Sequence, residues 1–344
     1  IWPTAGNVEP DVASVFSTYL YTGNATSQTI TTNVDLSTYG GMIWFKSRSN
    51  TYNHVIFDTE RWTSSDGNGL FPNATNGAGN INELTSFNSN GFSVTGSGYI
   101  NDTNDMVSWS FKKKAKFFDV VTYTGTGVAG LTVSHNLGSV PGMILLKRTD
   151  TTSGWRVYHR SANGGTNPEQ YYAMIQSTNA FAAASTVWNN TVPTDSVFTV
   201  GTDGDSNTNG GTYVAYLFAH ETDDKSMIKC GGYTGNGSAT GPVINLGWEP
   251  QWVLVKKSSD SDNWYIFDSM RGFVTGANDQ ALYPNNSSAE VSTTYGSLTA
   301  TGWSIDTSAG SLNQNNETFI YVAIRAPMIT PPEAATDVFA IDTF

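Results

Sequence analysis

The sequence is poor in the residue types on which enzyme and metal chemistry usually depends. Its 344 residues include one cysteine and four histidines, and 13% are charged, where a soluble domain usually carries about 25%. The single cysteine, Cys230, excludes an intrachain disulfide framework and a multi-cysteine metal site. The histidines are not paired at metal-ligand spacing; they are His54, His135, His159 and His220. We therefore expect no cofactor.

Long apolar runs and known catalytic motifs are also missing. One of the longest apolar runs, residues 213–219, is far shorter than the ~20 residues of a membrane-spanning helix. There is no signal-peptide pattern and the first residue is Ile, so we expect a processed, trimmed or partial chain. The hydrolase elbow, zincin motif, P-loop and dinucleotide fingerprint do not occur. The sequence predicts neither a membrane span nor an enzyme.

Positive charge is scarce. The chain has 17 Lys and Arg against 29 Asp and Glu, which gives a net charge of −12. Such a surface repels nucleic-acid phosphates and anionic membranes, so we expect neither as a partner. The one basic run is short and typical of a solvated linker; it comprises Lys112, Lys113, Lys114 and Lys116.

The residues that are abundant favour β-structure. The chain contains 34 Gly, 16 Tyr, 17 Phe and 10 Trp among many Thr, Ser and Asn. Aromatic residues and Thr favour strands, while Gly, Asn and Ser favour the turns between them. Because 12% of the residues are aromatic, the chain can bury a large core and is not disordered.

The strongest signal is a threefold internal repeat. A Tyr-Thr-Gly triplet begins at Tyr21, Tyr123 and Tyr233. Each copy is followed, in the same order, by a short turn, an apolar run ending in lysine, a second apolar run, a strand with a central aromatic residue and a final strand. The lysines are Lys46, Lys147 and Lys256; the second runs end at Asp58, His159 and Asp268; the aromatic residues are Phe92, Phe198 and Trp303.

We therefore predict an all-β protein of three tandem antiparallel β-sandwich or jelly-roll-like domains. Three similar faces in a line suit an extended spacer, a fibre or a surface decoration. Residues 170–184 have a composition compatible with a turn or two of helix. The predicted boundaries are 1–11 for a lead-in segment, 12–116, 117–227 and 228–328 for the three repeats, and 329–344 for a C-terminal tail.

The repeat landmarks resemble a known family. They combine Tyr-Thr-Gly, an Asn-Leu-Gly that leads to Pro141-Gly142-Met143-Ile144, and Gly-Gly-Thr-Tyr-Val-Ala-Tyr-Leu-Phe at residues 210–218. This combination is similar to a repeated domain of unknown function in virion proteins of marine tailed bacteriophages, often tail-fibre-like or particle-surface proteins. The resemblance covers nearly the whole chain and implies a component of a phage particle. It carries no catalytic motif.

A pair of repeated carboxylates is the best candidate for catalysis. Asp58 lies near Glu60 and Arg61, and its repeat equivalent Asp268 lies near Arg271. Glycosidases need two carboxylates across one cleft. An Asp and an Arg about one turn of chain apart are more typical of a structural ion pair that fixes a loop. We favour the ion pair and keep the glycosidase as the alternative.

Two further segments are candidate binding sites. Oxygen-bearing side chains alternate at Asp203, Asp205, Asn207 and Asn209, a spacing that can surround Ca²⁺, although the acidic twelfth position of an EF-hand loop is missing. A polar hairpin loop is the simpler interpretation. Trp62 and Trp188 have no aromatic counterpart in every repeat and lie beside loop-like segments, so each is a candidate platform for stacking a sugar ring, with a buried core position as the alternative.

The resulting functional prediction is a non-catalytic structural component of a bacteriophage particle surface, as a tail fibre, an appendage or a head decoration. Expected partners are other virion proteins and further copies of the chain, with a trimer favoured because fibres commonly have that symmetry. The alternatives are a glycan- or receptor-binding module of the same virion, and a bacterial cell-surface adhesin or surface-layer protein.

Overall fold

The computed structural model describes residues 11–327, apart from 65–66, 224 and 277. The predicted tail at 329–344 lies outside the described residues, as does the lead-in apart from residue 11. The described chain is all-β, as predicted, and none of its helices could cross a membrane. The α-helices are α1 (Leu36–Tyr39), α2 (Gly204–Asn207) and α3 (Gly310–Asn313), and the 3-10 helices are Val12–Ser14, Ala162–Gly165, Pro168–Gln170 and Ser269–Arg271.

We describe the strands in three units divided at the predicted repeat boundaries: unit 1 (12–116), unit 2 (117–227) and unit 3 (from residue 228). Unit 1 contains β1 (Phe16–Thr22), β2 (Gln28–Thr31), β3 (Gly41–Ser47), β4 (Val55–Asp58), β5 (Leu84–Asn88), β6 (Gly91–Val94) and β7 (Asp105–Lys112). Unit 2 contains β8 (Phe118–Thr124), β9 (Leu131–Ser134), β10 (Pro141–Arg148), β11 (Trp155–His159), β12 (Tyr171–Tyr172), β13 (Ala182–Ala183), β14 (Val197–Val200) and β15 (Thr212–Ala219). Unit 3 contains β16 (Ile228–Thr234), β17 (Val243–Asn245), β18 (Pro250–Lys257), β19 (Trp264–Asp268), β20 (Asp279–Ala281), β21 (Val291–Thr293), β22 (Gly296–Thr299), β23 (Gly302–Ile305) and β24 (Thr318–Arg325).

The same strand order occurs in each unit. The main sheets are β1-β7-β3-β4, β8-β15-β10-β11 and β16-β24-β18-β19, and every pairing is antiparallel. A smaller sheet accompanies each: β2-β6-β5, β9-β14 and β17-β23-β22. The predicted equivalence of Phe92, Phe198 and Trp303 is confirmed, because all three are buried on the smaller sheet and pair with β2, β9 and β17 respectively.

Each main sheet is apolar on both faces. In β3, Ile43 and Phe45 face the smaller sheet, where Phe45 meets Phe92 edge to face at 5.1 Å between ring centroids. Met42 and Trp44 point to the opposite face, because successive side chains of a strand alternate. This double burial explains why the run is continuously apolar, as the sequence pattern predicts for a strand buried on both sides.

The outer faces of the three main sheets meet in one shared core. The ring of Phe111 in unit 1 lies 5.6 Å from that of Phe218 in unit 2 and 5.8 Å from that of Trp252 in unit 3. Trp44, Trp109 and their equivalents belong to the same buried cluster. The expectation of three units in a line is therefore wrong: a linear array would leave these apolar faces in water, whereas grouping the units around a common core buries them.

The Tyr-Thr-Gly landmark holds the loop that precedes the last strand of each unit. In unit 2 the Tyr123 hydroxyl donates to the carbonyl oxygen of Ser206 at 2.6 Å. A Cβ on Gly125 would overlap the backbone oxygen of Thr208, so only glycine permits the approach. The equivalent tyrosine donations run from Tyr21 to Ile100 (2.6 Å) and from Tyr233 to Leu312 (2.8 Å).

Residues 170–184 do not form the helix that their composition permits. They contain the end of the 3-10 turn Pro168–Gln170 and the short hairpin of β12 and β13, in which Tyr171 pairs with Ala183. Ala173 also forms a β-bridge to Val157 at the edge of the main sheet. The sheet edge supplies the backbone partners of this segment, and tertiary pairing overrides a weak helical preference.

We expect Phe198→Ala to lower the free energy of unfolding of the chain by about 3–5 kcal/mol, because the ring is fully buried between the two sheets of unit 2. Since the units share one core, unfolding in urea should remain a single transition seen equally by tryptophan fluorescence and circular dichroism. Val192→Ala, at a side chain that is 58% exposed, is the control and should change stability by less than about 0.5 kcal/mol. Separate transitions for the units would contradict the shared core.

Candidate functional site

The repeated position at the end of β4, β11 and β19 lies where one unit meets another. Asp58 of unit 1 accepts a hydrogen bond from the Tyr216 hydroxyl of unit 2 at 2.7 Å. Asp268 of unit 3 accepts from the Trp109 indole of unit 1 at 3.0 Å. The third contact joins His159 Nε2 of unit 2 to the carbonyl oxygen of Tyr321 in unit 3, at 3.0 Å. The three bonds close a ring in which each unit touches both others.

The predicted structural ion pairs are confirmed. The Asp58 carboxylate receives the Nε of Arg61 at 2.8 Å, and the Asp268 carboxylate receives the Nε of Arg271 at 2.6 Å. Both carboxylates are buried, and each also caps the backbone N–H of its arginine at 3.0 Å. The two carboxylates therefore lie at different junctions, each with its own cation. Glu60 is instead paired with Lys113 of the basic linker at 2.7 Å.

A second cyclic set of contacts is made by Trp155, Trp264 and His54. Trp155 and Trp264 are the first residues of β11 and β19, and His54 lies just before β4. The Trp155 indole donates to Phe71 O of unit 1 at 3.1 Å, and the Trp264 indole donates to Met174 O of unit 2 at 3.2 Å. At the equivalent position His54 lies 3.1 Å from Tyr283 O of unit 3 through its Nε2. His54 Nδ1 accepts from an indole and His159 Nδ1 accepts from a backbone N–H, so both rings are neutral with the proton on Nε2.

The lysine that ends each first apolar run is buried at the same junctions. Lys147 donates to Ser153 O at 2.8 Å and to Thr75 O of unit 1 at 3.2 Å. Lys256 donates to Thr178 O of unit 2 at 3.1 Å. Burial lowers the pKa of these two lysines, and that of Lys46, to about 8. The sequence repeat marks these lysines, but nothing in it indicates that their ammonium groups are held by backbone carbonyls.

The predicted calcium segment is occupied by internal contacts. Asp203 caps the N-terminus of α2 and receives Arg156 Nε at 3.1 Å, and Asp205 receives Arg156 Nη2 at 2.7 Å. Asn207 is buried and its amide donates to two backbone carbonyls, whereas Asn209 is exposed. Within the described chain no group of three or more His, Cys, Asp or Glu residues is arranged to hold a metal.

Asn207 has a structural role that the sequence analysis missed. Its equivalents Asn101 and Asn313 are also fully buried. Each amide bridges a backbone carbonyl in the loop after the first strand of its unit to one in the segment after β6 or β23. The signal was present, because an asparagine precedes the last strand of every unit by five or so residues.

The two predicted tryptophans differ in burial. Trp188 is 1% exposed and packs edge to face against Tyr158 at 5.9 Å. Trp62 is half-buried against the core of unit 1, edge to face with Phe87 at 5.7 Å. Trp188 therefore cannot stack a sugar ring in this structure; its lack of a repeat counterpart reflects core packing within unit 2.

Open clefts lie at two of the junctions. The cleft between units 1 and 2, which we call cleft A, has a volume of about 580 Å³. It is lined by Glu60, Arg61, Asn68, Ala78, Thr122, Tyr123, Thr124, Thr149, Thr212 and Tyr213. Cleft B lies between units 2 and 3 and has two adjoining parts of about 440 and 200 Å³ that share Gly164 and Thr318. Its other lining residues are Ser161, Asn163, Tyr171, Phe181, Gly232, Tyr233, Thr234, Ser258, Ser259 and Phe319.

Comparison with known families identifies the family of the chain. A family model described as "Domain of unknown function (DUF7483)" matches residues 11–327. The chain belongs to this family. The match includes all three units, their shared core and both clefts. No curated protein matches the sequence.

We expect acid to destabilise the junctions through the neutral histidines. Burial lowers the pKa of His159 to about 3, whereas the pKa of a histidine in the unfolded chain is about 6.5. Between these values the unfolded state binds more protons, so the free energy of unfolding falls as the pH drops, by up to about 1.4 kcal/mol per pH unit for this residue. Other titratable groups also contribute to the pH dependence of the free energy of unfolding.

The contribution of His159 is isolated by comparing the wild type with His159→Gln in urea unfolding at pH 7 and pH 5. The variant should be less stable at neutral pH but lose less stability on acidification. Parallel pH dependences would show that His159 titrates alike in the folded and unfolded states.

Proposed function

We propose that the chain is a non-catalytic structural component of a bacteriophage particle surface, as a tail fibre, an appendage or a head decoration. The proposal starts from the repeat landmarks, which resemble those of virion proteins. The observation that supports it is the shared core, because three units joined around one core form a single rigid body rather than a set of mobile modules. Such a body suits a building block exposed outside the cell.

The state of the titratable groups favours a structural role over catalysis. The repeated carboxylates Asp58 and Asp268 are buried, and each is paired with an arginine. A glycosidase needs two carboxylates facing one open groove, with one of them free to exchange a proton. The two carboxylates instead accept hydrogen bonds across the junctions between units.

The assembly that we propose uses the outer surface of the three-unit body. Contacts with other virion proteins, or with further copies of the chain, remain the expected partners, and a trimer remains the favoured oligomer. The faces of the main sheets cannot take part, because they are already buried in the shared core. Hairpin loops, the edge strands β1, β8 and β16, and the outer faces of the smaller sheets are available for such contacts.

A second candidate function is binding of a glycan or another receptor, either on the virion or as a bacterial cell-surface adhesin or surface-layer protein. The observation that favours it is cleft B, an open space lined by hydroxyl groups and aromatic rings. The two functions are compatible, since a particle-surface protein can also contact its host.

Cryo-EM of the intact particle tests the structural proposal. We expect surface density into which the three-unit body fits as one rigid object, at a copy number set by the symmetry of its site. Proteomic absence of the chain from purified particles would refute the particle assignment. Light scattering of the purified chain then measures its oligomeric state, and a monomer at all concentrations, with no contact between copies in the particle, would exclude the trimer.

An enzymatic assay tests the absence of catalysis. The purified protein is incubated with capsular and outer-membrane polysaccharides, and new reducing ends are measured. We expect no release above that of a heat-denatured sample. Release that is abolished in Asp58→Asn or Asp268→Asn would establish a depolymerase in place of the structural role.

A further inference from the structure

The three junctions between units share one backbone contact but differ in the side chain at that point. The N–H of Ala78 donates to Thr149 O at 2.8 Å, and the N–H of Phe181 donates to Ser258 O at 2.9 Å. At the third junction the N–H of Glu290 donates to the backbone oxygen of Arg48 at 2.8 Å. These three bonds occur at equivalent places in the repeats. The side chains of Ala78, Phe181 and Glu290 therefore occupy the same structural position at the three junctions.

The third junction is closed by ion pairs. The Glu290 carboxylate receives a guanidinium nitrogen of Arg48 at 2.9 Å and one of Arg271 at 2.9 Å. A ligand at this junction would have to displace two charge-assisted hydrogen bonds.

Cleft A is open and lacks an aromatic ring at this position. Ala78 contributes only a methyl group, and the residue that corresponds to Tyr171 across the β-bridge is Asn68. Glu60 and Arg61 on its wall are already engaged, with Lys113 and Asp58 respectively. Cleft A is therefore a wide space whose aromatic rings, Tyr123 and Tyr213, come from unit 2, and it has no aromatic surface at the positions of Phe181 and Tyr171.

Cleft B has such a surface. Phe181 and Tyr171 are both half-buried and line the same part of the cleft, of about 440 Å³. The Tyr171 hydroxyl has no hydrogen-bond partner among the described residues. The same part of the cleft is lined by Ser258, Ser259 and Thr318. The Ser258 and Thr318 hydroxyls hydrogen-bond to each other at 2.8 Å, and the Ser259 hydroxyl donates to Glu317.

The adjoining part of cleft B adds further hydroxyl groups. Ser161 and Thr234 supply the hydroxyls, and Gly232 leaves the backbone uncovered. A volume of about 300–1,000 Å³ is typical of ligand sites, so cleft B is large enough for a small ligand. None of the residues that line it is charged.

This chemistry identifies the class of ligand. A sugar ring presents C–H groups on one face and hydroxyl groups around its rim, and aromatic rings beside uncharged hydroxyls match both. An acidic sugar would find no cation in the lining, and the net charge of −12 repels polyanions. We propose that cleft B binds a neutral oligosaccharide, with Tyr171 and Phe181 as the surfaces against which sugar rings stack. The proposal rests on the glycan-binding candidate function and assigns its site.

Binding is tested with the full chain and four neutral probes: maltohexaose, cellohexaose, laminarihexaose and chitotetraose. Saturation-transfer NMR detects binding, and calorimetry measures the affinity of any probe that binds. We expect at least one probe to bind with a dissociation constant below about 1 mM. Tyr171→Ala should weaken its binding at least about tenfold, whereas Tyr171→Phe, which keeps the ring, should retain most of it.

The matched control is Asn68→Ala, which changes the equivalent position in cleft A and should leave the affinity unchanged. Phe181 also packs against the shared core, so the conclusion rests on the Tyr171 variants, with thermal unfolding used to verify that they are folded. No binding by any probe at about 1 mM would overturn the proposal. Equal affinity of the wild type and Tyr171→Ala would also overturn it. Absence of the chain from virions would refute the particle assignment and leave this result unaffected.

Discussion

The structure depends on burying the second face of each main sheet. An antiparallel sheet usually packs one face on a core and leaves the other in water. Here β3, β10 and β18 are buried on both faces, so each unit has apolar surface that its own smaller sheet cannot cover. Packing the three sheets against one another removes this surface from water. Residues such as Phe111 contact both other units and make the three folding units thermodynamically dependent.

Around this apolar core, polar side chains determine how the units meet. A buried carboxylate is costly unless it is paired and hydrogen-bonded. Asp58 and Asp268 satisfy that condition with an arginine from the same unit and a donor from another unit. At the junction between units 2 and 3 a neutral imidazole, His159, makes the equivalent contact without a charge. One position in the repeat thus joins the units through two different chemistries.

The repeat also explains where ligand-binding surfaces can arise. Equivalent junctions place the same backbone atoms together, so their differences come from a few side chains. Glu290 closes the junction between units 1 and 3 with ion pairs. Ala78 lines the open cleft between units 1 and 2, and Phe181 adds an aromatic ring to the open cleft between units 2 and 3. Divergence between repeats at these positions changes the surface that each junction presents.

The sequence by itself determined the all-β class, the order of the strands in each repeat and the buried aromatic positions such as Phe198, because strand alternation and repeat alignment are local signals. It also indicated the pairing of Asp58 with Arg61, which are three residues apart. It indicated Trp62 and Trp188 as candidate sugar-stacking platforms, whereas the glycan site that we propose lies at Tyr171 and Phe181.

Only the tertiary structure decided that the units share a core, that Trp188 is buried and that Asp203 and Asp205 bind Arg156 in place of an open coordination site. The physical reason is that these features depend on contacts between residues far apart in the chain. Periodicity shows that a face is apolar, and it leaves open whether that face meets its own unit, a neighbouring unit or a ligand.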